Sequence, residues 1–183
     1  MRFDVVIIGG GKSGTRAALK LAQAGKRCAV VSAGHCLGQT FRSEFIACGG
    51  TFLSGDRVIG GRIEDDRLLF VNTENLGKDT ALEADNFILC TGKFFSKGLI
   101  STIDKIYEPV FGCEVMYEKD RSKWTTSDFY ASQPFESFGV RTTGLGQVYV
   151  DGKAVSNLYA AGEILAGEID IEESVERVCR NII

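Results

Sequence analysis

The glycine-rich stretch VIIGGGKSG at residues 6–14 constrains the fold of this chain more than any other feature, because it directly continues an apolar run. It contains two phosphate-binding patterns at once. The P-loop pattern requires a glycine five residues before the GKS triplet at 11–13, and a valine occupies that position. The dinucleotide pattern G-x-G-x-x-G is complete at Gly9, Gly11 and Gly14. The stretch therefore predicts a dinucleotide-binding turn between a first strand and a first helix.

Each glycine of this pattern has its own physical task. Gly9 permits the tight turn, Gly11 lets a pyrophosphate approach the backbone, and Gly14 lets the helix pack closely on the strand. The phosphates are expected at the helix N-terminus, where unpaired N–H groups and the helix dipole attract negative charge. Lys12 and Ser13 lie inside the pattern, and we include them with the glycines as candidate cofactor-binding residues.

The flanking sequence supports a βαβ unit. Residues 13–24 have apolar side chains at helical spacing and are followed by Gly25, which predicts a helix that ends there. The apolar segment RCAVVS at 27–32 then predicts a buried second strand.

Two later segments also end apolar strands in glycine turns. ADNFILCTG at 84–92 ends in Thr91-Gly92, and NLYAAGE at 157–163 ends in Gly162-Glu163. Together with the first turn, these place three turns at the carboxyl edge of a parallel sheet, where ligands bind in this architecture.

The remaining segments predict hairpins, a loop, an irregular region and a final helix. Residues 57–73 alternate around a polar turn at 64–66, and GQVYVDGKAV at 146–155 resembles a hairpin around Asp151-Gly152. The segment 33–55 predicts a loop with at most a short helix. Residues 93–146 are rich in aromatic and turn residues and predict an irregular excursion, whereas a final amphipathic helix is expected to begin after an Asp170 N-cap. The fold class expected is α/β, with a mainly parallel sheet and an antiparallel hairpin or meander.

Composition excludes several classes of protein. At 183 residues, the chain predicts a single dinucleotide-binding domain over residues 1–183. A net charge of −3 with no basic run gives no reason to expect nucleic acid. The first apolar run is too short for a signal peptide, and no apolar stretch reaches the length of a transmembrane helix. Six scattered cysteines without a C-x-x-C pair argue against a metal or iron–sulfur site, and those in apolar contexts predict buried thiols in a reducing cytoplasm.

Longer segments carry a resemblance to a known family. The N-terminal βαβ unit, LCTGKFF and NLYAAGEILAG look like a flavoprotein of the FAD/NAD(P)-binding Rossmann superfamily. Within it, GKFFSKGL, IYEPVFG, SDFYASQPFESFGV and VSNLYAAGEILAG resemble the B subunit family of anaerobic glycerol-3-phosphate dehydrogenase, of which this chain would be a shortened member.

The resemblance implies an oxidoreductase subunit that binds a flavin and transfers electrons. Its partners would be a catalytic A subunit and an iron–sulfur C subunit in a complex that oxidises glycerol 3-phosphate, cytoplasmic and peripheral at the inner membrane through those partners. By the same resemblance, Gly9, Gly11 and Gly14 would hold flavin phosphates. Thr91-Gly92 would close over the cofactor, and Gly162-Glu163 would lie beside its phosphate and ribityl portion.

The sequence also departs from the family. Ser32 replaces the acidic residue that usually ends the second strand and binds ribose hydroxyls. Glu168, Asp170, Glu172 and Glu173 crowd the start of the final helix and would repel a phosphate there. The segment between the second strand and residue 84 is too short for the family's inserted domain. FAD, FMN and no flavin therefore remain open.

A catalytic residue cannot be assigned from the sequence. His35 is the sole histidine and the first candidate for a general base, while Lys93, Lys97, Arg42 and Arg141 are loose candidates for binding a substrate phosphate. Two alternatives to the flavoprotein subunit stay open. One is a stand-alone NAD(P)-linked reductase, which would need a second nucleotide fingerprint that the sequence lacks. The other is a cofactor-free relative that acts as an assembly or interaction module.

Overall fold

The computed structural model of the protein describes residues 1–34, 39–76, 80–128, 130–167 and 170–183. Helices and strands follow one another in this order: β1 (Arg2–Ile8), α1 (Lys12–Gln23), β2 (Cys28–Ser32), α2 (Gln39–Ala47), β3 (Thr51–Ser54), β4 (Val58–Glu64), β5 (Arg67–Thr73), β6 (Leu82–Leu89), β7 (Ile100–Ser101), β8 (Ile106–Tyr107), β9 (Val115–Met116), β10 (Gly139–Val140), β11 (Gln147–Val150), β12 (Lys153–Ala160) and α3 (Ile171–Ile182). Short 3₁₀ helices lie at Arg121–Lys123 and Pro134–Ser137.

Among the described residues, the main sheet has eight strands and is parallel at its centre. Its principal order is β11-β12-β6-β1-β2-β3, in which β1 lies parallel to both β2 and β6. The pairs β2–β3 and β6–β12 are parallel as well. The hairpin of β4 and β5 joins through antiparallel pairing of β5 with β6. The predicted Rossmann-like α/β fold with an antiparallel meander is confirmed.

The two faces of the sheet build separate cores because side chains alternate along each strand. Val5 and Ile7 of β1 pack with the buried faces of the helices, whereas Val6 and Ile8 pack on the other face. That second face is covered by the β4–β5 hairpin and by the segment that follows β6. The helices and the meander therefore lie on opposite sides of β1.

One side chain, Asn157, bridges the gap between β5 and β12 where both strands pair with the same edge of β6. β5 pairs with the first part of β6 and β12 with its last part, so the two partners diverge along the same edge. Asn157 is buried there, accepts a hydrogen bond from the Leu68 N–H at 2.8 Å and donates to the Leu68 carbonyl at 2.9 Å. Its amide replaces the backbone partner that the divergence removes.

Both predicted hairpins are present with the expected turns. Asp65 and Asp66 have φ angles of 49° and 58° between β4 and β5, and Asp151 and Gly152 have 50° and 81° between β11 and β12. Two successive left-handed residues match the right-handed twist of the paired strands, and Asp and Gly adopt this conformation most readily.

The prediction for residues 33–55 was incomplete. The segment contains the nine-residue helix α2 and the strand β3, which extends the parallel sheet beside β2. β3 escaped detection because its four residues TFLS show no alternation of apolar and polar side chains and follow two glycines.

Residues 93–146 form two short antiparallel pairs, β7–β8 and β9–β10, and the two 3₁₀ helices. Tyr117, Trp124 and Phe138 pack edge to face with ring centroids 5.8–6.4 Å apart. Phe94 and Phe135 form a further edge pair. Aromatic packing thus replaces long strands as the source of order in this segment.

The final helix α3 begins as predicted. The Asp170 carboxylate accepts hydrogen bonds from the N–H groups of Glu172 and Glu173, which is a typical N-cap. α3 lies against α1 through a buried apolar face and through ion pairs. Among the helices that the structure describes, none has the length and apolar character to cross a bilayer.

Candidate functional site

A cavity of about 760 Å³ opens at the carboxyl ends of β1, β2 and β6. This volume lies within the range of about 300–1,000 Å³ that is usual for sites of small molecules and cofactors. Turn residues from several segments line it: Gly9 to Ser13, Ser32 to Gly34, Asp56 to Ile59, Cys90 to Gly92, Ser96, Lys97, Ile100, Pro109, Val110 and Glu163. The position is the one where parallel α/β sheets bind ligands.

The first turn presents bare backbone to this cavity. Gly9 has a φ of 108°, and a Cβ there would lie 2.4 Å from the carbonyl oxygen of Cys90, so only glycine fits. Gly11 is the N-cap of α1, and a Cβ there would meet no protein atom within 4 Å. The amides of the first helical turn therefore face space that an anion can enter.

Gly14 lies outside the cavity lining and determines how α1 approaches the turn. A Cβ at Gly14 would be 1.9 Å from the carbonyl oxygen of Gly9. The N-terminus of α1 can therefore lie against the end of β1 only because residue 14 has no side chain. This is the packing role that the glycine pattern predicts for Gly14.

The turn after β6 contributes a buried hydroxyl. Thr91 Oγ1 is buried and has no hydrogen-bond partner among the residues described, while Thr91 itself lines the cavity. Gly92 has a φ of 71°, and the Ser96 hydroxyl donates to the Thr91 carbonyl at 2.6 Å. A ligand in the cavity would supply the partner that this hydroxyl lacks.

The turn after β12 places Glu163 at the cavity and Gly162 behind it. Gly162 has a φ of 84°, and a Cβ there would lie 2.0 Å from Ser13 Oγ. Its N–H donates to the hydroxyl of Ser174, a buried residue of α3, at 3.0 Å. Gly162 thus joins the starts of α1 and α3, and only Glu163 of this pair reaches the lining.

The Ser32 hydroxyl is engaged within its own turn. Ser32 is buried, lines the cavity and donates to the Gly34 carbonyl at 3.2 Å. A Cβ at Gly10 would lie 2.6 Å from Ser32 Oγ, so the first turn and the end of β2 are in close contact. Gly10 belongs to this wall although the glycine pattern did not identify it.

Asp56 fixes the wall that follows β3. Its buried carboxylate accepts hydrogen bonds from the Thr73 hydroxyl at 2.6 Å and from the N–H groups of Arg57 and Asn75 at 2.8 and 3.0 Å. Burial alone would raise the pKa of Asp56, but these hydrogen bonds outweigh it and lower the pKa below its usual 3.8. The ionised carboxylate ties the β3–β4 connection to the end of β5.

Replacement of Asp56 by asparagine is expected to lower the free energy of unfolding by about 2–3 kcal/mol at neutral pH, because an amide cannot accept all of these hydrogen bonds. The pKa of the folded state lies below that of the unfolded chain, so the carboxylate stabilises the fold above about pH 4. This contribution is lost as the pH falls through the folded-state pKa. Urea unfolding between pH 3 and 7 should show the two proteins converging in acid, and a constant gap would contradict the assignment.

Glu108 shapes another part of the cavity wall. Its buried carboxylate accepts hydrogen bonds from the N–H groups of Val110 and Phe111, both at 2.8 Å. The turn so formed brings Pro109 and Val110 to the cavity. These residues lie in the segment IYEPVFG that carried the family resemblance, but no local pattern indicates which of them reach the cavity.

Among the loose cationic candidates, only Lys97 lines the cavity. The Lys93 ammonium group donates to the Glu136 carbonyl, and burial lowers its pKa against the opposing influence of Glu163 and Glu136. Arg141 pairs with Glu114 at 2.9 Å, and Arg42 lies exposed on α2. His35 falls outside the described residues.

Cys90 lines the cavity as a neutral thiol. Burial raises its pKa to about 12. Cys28 and Cys179 are buried as well, as the sequence predicted, and burial raises the pKa of each. Thiols with such pKa values are poor nucleophiles at neutral pH.

The acidic start of α3 is directed to other partners. Asp170 caps the helix, and Glu172 pairs with Arg16 of α1 at 2.5 Å. No residue of α3 belongs to the described lining of the cavity, and Glu168 falls outside the described residues. Asp170 and Glu172 are therefore engaged with partners other than a ligand in the cavity.

The structure brings together most of the predicted cofactor-binding residues. Those that line the cavity are Gly9, Gly11, Lys12, Ser13, Ser32, Thr91, Gly92 and Glu163. Gly14 and Gly162 lie directly behind this lining. Contact of any of these residues with a cofactor stays a prediction.

Comparison with known proteins connects this geometry to a family. A family model described as an FAD binding domain matches residues 4–71 and 66–172. An oxidoreductase of known structure from Agrobacterium tumefaciens has a TM-score of 0.63 and 13% identity, covering 100% of this chain and 97% of that one. At this identity, the likeness concerns the fold alone.

Two curated relatives share more sequence. The B subunit of anaerobic glycerol-3-phosphate dehydrogenase from Haemophilus influenzae (strain PittGG) is 42% identical over 131 residues, which cover 69% of this chain and 30% of that protein. The protein of the same name from Glaesserella parasuis serovar 5 (strain SH0165) is 38% identical over 136 residues, covering 72% and 32%. The chain thus spans less than a third of the length of each of these two relatives.

Proposed function

This chain belongs to the FAD binding domain family, and from that premise we propose that it is a flavin-binding oxidoreductase subunit similar in role to the B subunit of anaerobic glycerol-3-phosphate dehydrogenase. FAD, which the family description names, is favoured over FMN as the cofactor. The observation that carries the proposal is the open space before Gly11 at the N-terminus of α1, within a cavity of cofactor size. A site that had lost its cofactor would be free to fill this space.

The residues present fit a dinucleotide. The amides at Gly11, Lys12 and Ser13 would hold the pyrophosphate, since they lie at a helix N-terminus that faces the cavity. The Thr91 hydroxyl would hydrogen-bond the cofactor, and the Glu163 carboxylate would accept hydrogen bonds from its hydroxyl groups. Ile59 and Val110 would exclude water from its apolar part.

The bound flavin would supply the redox chemistry, and the protein would supply placement and electrostatics. The Asp56 and Glu108 carboxylates hold two walls of the cavity in position by accepting backbone hydrogen bonds. Because burial raises the pKa of Cys90 to about 12, its thiol is neutral at neutral pH and is a poor nucleophile. No general acid or base is assigned to the described residues, which is consistent with electron transfer rather than substrate oxidation by this chain alone.

The wider assembly is part of the proposal. The relatives are named as subunits, and we infer that this chain too acts with partner subunits, a catalytic A subunit and an iron–sulfur C subunit, in oxidising glycerol 3-phosphate. A cytoplasmic location with peripheral attachment to the inner membrane through these partners accompanies it. We also retain the proposal that residues 1–183 are one domain, with an excursion at 93–146.

The cofactor-free module is the weaker alternative. It would rest on three departures from the family: Ser32, the acidic start of α3 and the short central segment. Asp170 caps α3, Glu172 pairs with Arg16, and Ser32 leaves the cavity open. The stand-alone NAD(P)-linked reductase still lacks a second nucleotide fingerprint in the sequence.

Flavin binding tests the proposal directly. Purified protein is expected to absorb in the near-ultraviolet and blue, or to bind added FAD with a micromolar or lower dissociation constant and a raised Tm. FMN and riboflavin, titrated in parallel, show how much the adenosine and the phosphates contribute. A colourless protein whose Tm responds to none of the three would refute the proposal, and co-purification with a partner but without flavin would favour the module.

A further inference from the structure

Lys97 combines two features that rarely occur together. It lines the cavity described above, and its backbone has a φ of 62°. Other non-glycine residues with positive φ in the described ranges are the aspartates of the two hairpin turns, Asp65, Asp66 and Asp151. Aspartate tolerates this conformation better than lysine. A lysine held there indicates that its side chain serves a purpose that offsets the backbone strain.

The hydrogen bonds of the turn explain why this position is left-handed. The Gly98 N–H donates to the Lys93 carbonyl at 2.9 Å, and the Lys97 N–H donates to the Phe94 carbonyl at 3.2 Å. This pair of bonds is the Schellman pattern, in which the residue at the Lys97 position is usually glycine. A Cβ at Gly98 would lie 2.0 Å from the Gly92 carbonyl oxygen, so the turn cannot shift by one residue to place Gly98 there.

Two lysines at the cavity, Lys12 and Lys97, form no ion pair with the described residues, whereas two other charged groups nearby have hydrogen-bond or ion-pair partners. The Asp56 carboxylate is saturated by hydrogen bonds, and the Arg57 guanidinium pairs with Glu74 at 3.0 Å. The Glu163 carboxylate also lines the cavity and opposes the lowering of the Lys93 pKa by burial, but it forms no ion pair with any of the described residues. Lys12 and Lys97 line the cavity from two different turns and form no ion pair with any residue in the described part of the chain.

We propose that Lys97, together with Lys12, forms a cationic pair that binds a phosphoryl group of the ligand in this cavity. Lysine ammonium groups bind phosphate through charge-assisted hydrogen bonds, and a rigid turn reduces the entropy lost in placing one. The phosphoryl group belongs either to the flavin or to a phosphate ester substrate. The first source rests on the proposed flavin binding, whereas the second requires only that a phosphate ester enters the cavity.

The Lys97→Ala variant removes the ammonium group but keeps the Cβ, so the strain of the left-handed backbone is the same as in the wild type. Titrations with FAD, FMN and riboflavin, and with glycerol 3-phosphate and glycerol, compare it with the wild type. We expect affinity for FAD and FMN to fall about tenfold at low salt, and affinity for riboflavin to change less than about twofold. Lys97→Arg should retain most of the wild-type affinity. Lys119→Ala, which removes an exposed lysine outside the cavity lining, is the matched control.

Lys97→Gly adds a readout that a structural role would not produce. Glycine relieves the left-handed strain, so the Tm should rise by about 2–4 °C while affinity for the phosphorylated ligand falls as in Lys97→Ala. A variant that is more stable and yet binds more weakly shows that the lysine was retained for binding.

The flavin titrations and the glycerol 3-phosphate titrations distinguish the two sources of the phosphoryl group. They also distinguish a failure of the lysine-pair proposal from a failure of the proposed function. Unchanged flavin binding with tenfold weaker binding of glycerol 3-phosphate, but not of glycerol, supports the pair and assigns it to a substrate. Wild-type affinity of Lys97→Ala for every phosphorylated ligand would overturn the inference, as would an equal loss for riboflavin. If the wild type binds no flavin, the proposed function fails and the glycerol 3-phosphate arm alone decides. If it binds none of these ligands, both are overturned.

Discussion

Substitution of Gly14 by alanine is expected to lower the free energy of unfolding by about 3 kcal/mol, because the added methyl group would overlap backbone atoms. The new Cβ would lie 1.9 Å from the Gly9 carbonyl oxygen and 3.3 Å from Ile7 Cγ2. The obstacle is backbone, which cannot rotate away as a side chain does. Gly9 in turn is held by its N–H, which donates to the Val31 carbonyl at 2.8 Å.

The sign of this effect is informative in itself. Alanine inside a helix normally stabilises it by about 0.5–1 kcal/mol relative to glycine. Urea unfolding followed by circular dichroism measures the outcome, with Gly144→Ala as a control because a Cβ there meets no atom within 4 Å. Equal midpoints for the two variants would contradict the close packing of α1 on the first turn.

Substitution of Gly11 by valine is expected to weaken FAD binding by at least about 100-fold while the fold is kept. Gly11 has a φ of −74° and a ψ of −171°, which is extended backbone that valine adopts readily. Its side chain would enter the open space before α1, where the phosphates are proposed to lie. Each charge-assisted hydrogen bond lost there contributes about 1.5–3 kcal/mol.

Titration with FAD and thermal unfolding of the same samples check this expectation. Valine is a poor N-cap, so a decrease in stability of up to about 1 kcal/mol is expected beside the loss of binding. Gly144→Val provides a control for the added valine away from the cavity. Wild-type affinity in Gly11→Val would show that no ligand phosphate approaches this backbone, and the proposal for the first turn would fail.

The glycines of the first turn show why the local part of the fold could be predicted from the sequence. Chemistry at Gly9, Gly11 and Gly14 depends on spacing within six residues, so the sequence alone identified the first strand, turn and helix. The hairpin turns at Asp65-Asp66 and Asp151-Gly152 were predictable for the same reason. The capping of α3 by Asp170 also depends only on residues next to it.

The walls of the cavity were not predictable in this way. Asp56 is held at the site by its hydrogen bonds to Thr73 and Asn75, which belong to a later segment of the chain. Pro109 reaches the cavity through the turn in which the Glu108 carboxylate accepts hydrogen bonds from the N–H groups of Val110 and Phe111. No periodicity encodes the Asp56 contacts, and no local pattern indicates that the Glu108 turn reaches the cavity. The left-handed backbone of Lys97 could not be predicted from the sequence either. The adjacent Gly98 would be expected to take that conformation, but its close contact with the Gly92 carbonyl oxygen fixes it in the next position of the turn.

The high pKa of Cys90 affects how easily its thiol can be oxidised. With a pKa of about 12, on the order of one molecule in a hundred thousand carries the thiolate at pH 7. Peroxides attack the thiolate, so a cysteine in the wall of this chamber is protected from sulfenic acid formation by its own surroundings. A cysteine at this position in the cavity wall is therefore expected to resist oxidation at neutral pH better than an exposed thiol does.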